Sequence, residues 1–190
     1  FHLPLAAFDN LLGARVFDLY DDPMPSLNDL EGYAGDTESA LMQLGAMILA
    51  GGRDPGTATV AGFAGVAVAV TRLLRALPRN AGEGQSYLPA DLLAANGGAE
   101  AGVTAPESAA TVRATVDGLK TLARSRLADA RAAWDEGYAA TLPALLPAAT
   151  VGLYLDRMDR KGFDPLRDVA DIAPFRRQWT LWRAARAGRF

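Results

Sequence analysis

The chain has 190 residues, half of them apolar and 22% charged, with a net charge of −3. This composition excludes a disordered chain and gives no basic field for nucleic acid. It has no cysteine and a single histidine, His2. Disulfides and thiolate metal sites are thereby removed, and histidine-based metal sites and Ser-His triads are argued against.

Alanine is abundant and β-branched runs are scarce, which points to helices. The length suits one domain with a sizeable core, taken here as residues 1–190. Phe1-His2-Leu3-Pro4 lacks the charged and long apolar regions of a secretory leader. The first helix is expected over residues 4–20, where Leu5, Phe8, Leu11, Leu12, Val16 and Leu19 recur at helical spacing. Asp21-Asp22-Pro23-Met24-Pro25 stops it. Ser26 is an N-cap for the next helix, with Asp29 and Glu31 in the first turn, where the helix dipole favours acids. That helix should run to Leu49 and stop at Gly51-Gly52. Leu30, Tyr33, Thr37, Leu41, Leu44 and Ile48 form its core-facing stripe.

The third helix is expected over residues 57–77. Its first 15 residues carry no charge, short of the ~20 that a membrane span needs, so it reads as the buried helix of a bundle. Pro78 to Ser86 reads as a polar loop, and residues 90–95 as a short helix closed by Asn96-Gly97-Gly98. Residues 102–107 read as a linker, with Thr104 as a cap and Pro106 in a first helical turn. A long amphipathic helix should follow to about residue 136. Another is expected over 142–160, irregular near Pro143 and Pro147. A last helix is expected over 174–187, carrying Phe175, Trp179 and Trp182 among arginines. The fold class is all-α, with six or seven helices.

Acidic residues form no convincing metal motif. Asp18, Asp21 and Asp22 cluster at a helix end, where a solvated turn is the plainer reading. Asp36 and Glu38, two apart, do not share a helix face. Asp156 and Asp159, interleaved with Arg157 and Arg160, read as a surface ion-pair face. The basic side is more informative. Arg72, Arg75 and Arg79 are spaced i, i+3, i+7, one face if the helix continues that far. Guanidinium forks suit phosphate or carboxylate; a solvated helix end whose cations complement the dipole is the alternative.

Several blocks resemble a known family. Leu73-Leu74-Arg75, an eight-residue gap, Gly84, then Tyr87-Leu88-Pro89-Ala90-Asp91-Leu92-Leu93 looks like the second signature of squalene/phytoene synthases. Asp18-Leu19, with Leu30 and Tyr33 opening a helix of small residues, resembles that family's middle segment. The likeness implies an all-helical isoprenoid-synthase fold, of which this chain would be the C-terminal two thirds, lacking the N-terminal helices. It also implies a central cavity in which two aspartate-rich motifs hold magnesium against prenyl diphosphates.

The sequence departs from the pattern at the metal. The family's second motif is Asn-x-x-Arg-Asp-x-x-x-Asp. Aligned on Tyr87-Leu88-Pro89, its Asn position is Arg72 and its Arg is Arg75. Its aspartate positions are Ala76 and Asn80, and an acidic position between them is Arg79. The first motif would precede Phe1. Tyr33, then Thr37-Glu38-Ser39-Ala40-Leu41, resembles the non-catalytic branch, which includes a mitochondrial assembly factor for respiratory complex I. The Ala- and Arg-rich composition suggests a bacterial relative.

Three functions follow as expectations. The first is a non-catalytic, squalene/phytoene-synthase-like protein that binds a prenyl or lipid tail or assists assembly of a respiratory complex. It has no catalytic residues, no metal and no cofactor. Arg72, Arg75, Arg79 and Asn80 would meet an anionic head group, and Tyr33 and Tyr87 would line the cavity. The second is an active head-to-head prenyl-diphosphate transferase, with magnesium held by acidic residues from the part before Phe1. The third is a membrane-surface or partner-docking module using the terminal helix, whose plainer reading packs the Trp face on its own bundle and leaves the arginines in solvent. None involves nucleic acid. The expected location is cytoplasmic, including the inner face of the membrane.

Overall fold

The computed structural model describes residues 1–98 and 108–190, and all of its regular structure is helical. The α-helices are α1 (Leu5–Arg15), α2 (Leu27–Ala34), α3 (Ala40–Leu49), α4 (Ala58–Gly82), α5 (Ala90–Ala95), α6 (Ala109–Ala132), α7 (Leu142–Leu145), α8 (Val151–Met158) and α9 (Pro174–Ala187). A π-turn, Gly35–Ser39, fuses α2 to α3, and a 3₁₀ segment, Leu146–Thr150, fuses α7 to α8. The linker expected over 102–107, with Thr104 and Pro106, lies outside the described residues.

Helices α4 and α6 form the central pair. Val60, Ala64, Ala67, Val70, Leu74 and Leu77 of α4 meet Val112, Val116, Leu119, Ala123 and Leu127 of α6 in one core. Helix α4 is long and apolar enough to cross a bilayer, but its apolar surface is mostly consumed by this bundle. The π-turn lies directly on α4. A Cβ added to Gly65 would fall 2.3 Å from Ser39 Cα, so only glycine permits this approach. Ser39 Oγ donates to the Gly62 carbonyl at 2.9 Å in the same contact.

The linker before α2 is tied to the Tyr-Leu-Pro segment. Met24, almost fully buried, donates its N–H to the Ser86 carbonyl and accepts from the Ala90 N–H. Ser26 Oγ accepts from the Asp29 N–H and caps α2 as expected. Asp91, from α5, accepts from the Leu27 N–H at 3.1 Å. One carboxylate thus joins the starts of two helices.

Three boundaries and one buried face differ from expectation. First, α1 stops at Arg15 and gives way to a 3₁₀ turn, Val16–Leu19. None of its residues is buried. Second, α4 does not end at Leu77 but runs through Pro78 to Gly82. Proline costs a helix about 3 kcal/mol. Leu74 and Leu77, both buried, contribute about 1.5–3 kcal/mol each and offset it. Arg79 and Asn80 therefore lie on the helix. Third, Leu41 and Ile48 of the expected stripe are exposed, while Met42 and Ala46 are buried. The π-turn has inserted one residue into the helical repeat and turned α3 against α2. Fourth, α6 ends at Ala132, and a 3₁₀ segment, Glu136–Thr141, occupies the end expected of it. The irregularity expected near Pro143 and Pro147 is the α7–3₁₀–α8 succession.

Candidate functional site

Asp18, in the 3₁₀ turn after α1, is the centre of a closed polar cluster. Tyr87 donates to its Oδ1 at 2.6 Å and Tyr33 to the same oxygen at 2.9 Å. Arg15, one turn earlier, donates to Oδ2 at 3.0 Å and to the Tyr33 hydroxyl at 2.9 Å. Phe17 packs edge-on to both tyrosine rings, whose own centroids lie 5.9 Å apart. Three elements thus converge: the α1 end brings Asp18 and Arg15, α2 brings Tyr33, and the segment before α5 brings Tyr87.

Burial favours neutral Asp18, but the hydrogen bonds from Tyr87, Arg15 and Tyr33 outweigh it and hold the carboxyl below its ordinary range. Burial, then the bond to Asp18, pushes the Tyr33 hydroxyl up to about 12 and raises Tyr87 as well. Both tyrosines are therefore neutral donors at physiological pH. These three donors engage both oxygens of the Asp18 carboxylate.

Glu38, in the π-turn, extends the cluster. Its Oε1 is buried without a hydrogen bond but contacts the guanidinium of Arg72 and lies 3.9 Å from that of Arg15. Two guanidinium groups, Arg15 and Arg72, thus balance two carboxylates, Asp18 and Glu38.

The structure brings Tyr33, Tyr87 and Arg72 into this network. Arg75 turns elsewhere. Its guanidinium stacks 3.9 Å over the Tyr154 ring and donates to the Ala170 carbonyl at 3.0 Å, with Asp171 at 3.9 Å. Arg79 is largely exposed and lies 3.7 Å from Glu83. Asn80 is buried and, with Tyr87, Leu30, Leu77, Leu88 and Leu119, lines a cavity of about 10 Å³. That volume holds at most one water. The three arginines, regular in sequence, therefore serve three different environments.

Sequence reasoning missed Asp18, Arg15 and Glu38 as members of this cluster. The i, i+3 spacing of Arg15 and Asp18 was a usable signal. Asp156 and Asp159 do form an exposed ion-pair face, but their partners come from α6: Arg124 lies 3.4 Å from Asp156 and 2.5 Å from Asp159, and Lys120 lies 2.6 Å from Asp159.

The squalene/phytoene synthase family model matches residues 1–183. The chain belongs to this family. Among curated relatives, it is 28% identical over 154 residues to rat "NADH dehydrogenase (ubiquinone) complex I, assembly factor 6" and 27% to the mouse protein. Each match takes in 81% of this chain and 46% of the relative, so the chain spans about half the length of these proteins. A solved dehydrosqualene synthase in complex with ligand superposes with a TM-score of 0.74 at 19% identity, covering 97% of this chain and 65% of that one. The all-α architecture is accordingly the isoprenoid-synthase fold.

The magnesium implied by the family does not fit the residues present. No three Asp, Glu or His side chains come together to hold a metal among the described residues. The family's carboxylate positions on α4 hold Ala76, Arg79 and Asn80.

Proposed function

We propose that this chain is a non-catalytic member of the squalene/phytoene synthase family and acts in the assembly of a respiratory complex. The observation that carries this reading is the closed charge network of Arg15, Asp18, Glu38 and Arg72. In a synthase the corresponding region must leave carboxylates open for metal and cations open for diphosphate. Here Asp18 accepts from Tyr87, Tyr33 and Arg15, and Glu38 lies against Arg72. The inter-helical space next to Asn80 and Tyr87 is about 10 Å³, room for at most one water. The rodent relatives support the assembly role by name.

Two measurements test this. The first is thermal unfolding of the intact gene product with farnesyl or geranylgeranyl diphosphate, with and without magnesium. A ligand at a hundredfold its Kd stabilises by about 2.7 kcal/mol. No magnesium-dependent shift and no product are expected; a magnesium-dependent shift with product formed overturns the proposal. The second is deletion of the gene followed by native-gel quantification of complex I. Loss of the mature complex, restored by the wild-type gene, is expected. An unchanged complex overturns the assembly role.

A further inference from the structure

Helix α9 is built inside out. Thr180, Leu181 and Ala184 are half-buried, and the helix rests on the 3₁₀ segment Leu146–Thr150. Phe175, Trp179 and Trp182 lie on the opposite side, at i, i+4 and i+7. They are 76%, 48% and 51% exposed. Their rings stack in one row, with centroids 6.3 Å apart for Phe175 and Trp179 and 4.9 Å for Trp179 and Trp182. The guanidinium of Arg186 continues the row, 5.7 Å from the Trp182 ring. A helix that simply packed on its bundle would turn these rings inward.

The charge of α9 is equally one-sided. It carries Arg176, Arg177, Arg183 and Arg186 and no acidic residue, within a chain whose net charge is −3. Among the described residues none of these four arginines is in a salt bridge. By angular position Arg176 and Arg183 flank the aromatic row on one side, one on each side of Trp179 along the axis. An outward row of indole and phenyl rings bordered by unneutralised guanidinium groups is complementary to one kind of partner: apolar at depth and negative at its surface.

We propose that α9 docks this protein onto the surface of an anionic lipid bilayer, lying in the interface plane. The rings would enter the boundary between head groups and acyl chains, and the arginines would pair with lipid phosphates. A spanning role does not suit it. Fourteen residues extend about 21 Å, against about 30 Å of hydrocarbon. Docking is independent of whether the protein has any catalytic activity.

The test is co-sedimentation of the full chain with vesicles of phosphatidylcholine alone, and with vesicles containing 30 mol% phosphatidylglycerol. Binding to the anionic vesicles only, weakened between 50 and 300 mM salt, is the expected result. In a Trp134→Phe background, Trp179 and Trp182 are the remaining indoles. Their emission should shift to the blue and be quenched by brominated acyl chains. Arg176→Gln with Arg183→Gln should lower the partition coefficient about five-fold per arginine, and Trp179→Gln with Trp182→Gln should abolish binding. Should the tryptophan pair fail to fold, the arginine pair and the quenching decide alone. The proposal is overturned by absence of binding to anionic vesicles, or by binding that either pair of substitutions leaves unchanged. It is equally overturned by a concentration-dependent dimer that the tryptophan substitutions convert to monomer, since a second copy would then be the occupant of the face.

Discussion

Helix α4 carries three arginines in its second half and α9 carries four along its length. On α4, Arg72 meets Glu38 from the π-turn, and Arg75 meets a ring, a carbonyl and a carboxylate. On α9 no arginine is in a salt bridge among the described residues, and the neighbouring side chains include the aromatic row. The same residue type therefore does two jobs. Where the fold supplies the counter-charge, arginine is a brace between helices. Where the fold withholds it, the charge is left for something outside the chain. Composition alone does not separate these cases; the position of the opposite charge does.

The largest effect is expected from separating α4 from the π-turn that brings Glu38 to it. Gly65→Ala places a methyl 2.3 Å from Ser39 backbone. Overpacking of this kind costs about 3 kcal/mol or more, because backbone rather than a flexible side chain must move. Chemical denaturation should show the loss, with Arg72 released as its consequence.

Glu38→Gln comes next. It strands the Arg72 guanidinium, since Arg15 keeps its bond to Asp18, and Arg72 is 45% exposed, so water recovers part of the loss. A destabilisation of about 1–2 kcal/mol is expected. Adding Arg72→Met should restore part of it, since the stranded cation is then gone. A double variant no more stable than Glu38→Gln would show that the pair is not a brace.

Asp18→Asn should cost about 1–2 kcal/mol at neutral pH by weakening three charge-assisted hydrogen bonds. Its pH dependence is diagnostic. The folded carboxyl lies below the ordinary 3.8, so its contribution is complete above that value. It is lost as pH falls from there through the lower folded value. The gap between wild type and Asp18→Asn, followed by urea melts, should therefore be constant near neutrality and close in acid.

The smallest effect is expected on α9. Arg176→Gln with Arg183→Gln should change stability by no more than about 0.5 kcal/mol, as exposed substitutions outside any network do. A loss as large as that of Glu38→Gln would mean that these arginines brace the fold after all, and the contrast between the two helices would disappear.

The helical class, the capping Ser26 and the limits of α9 were legible because propensity, periodicity and stop signals agree there. The exposure of Leu41 and Ile48 was not legible, because Gly35–Ser39 reads as ordinary helix and the extra residue in its turn has no marker. Pro78 misled for a related reason: local chemistry says stop, but burial on either side of it says continue. In the site, family-like blocks pointed to Tyr33, Tyr87 and Arg72, which the structure gathers. The regular spacing of Arg75 and Arg79 suggested one shared ligand. Spacing fixes the face from which a long side chain starts, and its partner fixes where it ends. Asp18 was hidden because two of its three donors are 15 and 69 residues away in the chain.

The π-turn has one more consequence. Its i→i+5 bonds hold one residue more than an α-turn needs, so α2 and α3 sit out of phase by about one residue, roughly 100° of rotation. Deleting any single residue from Gly35–Ser39 would yield a straight helix of better intrinsic geometry. It would also swing Tyr33 away from Asp18, or else Met42, Leu44 and Ala46 away from their buried positions. The segment is thus a frame marker in the literal reading-frame sense: what it cannot absorb is a change in length.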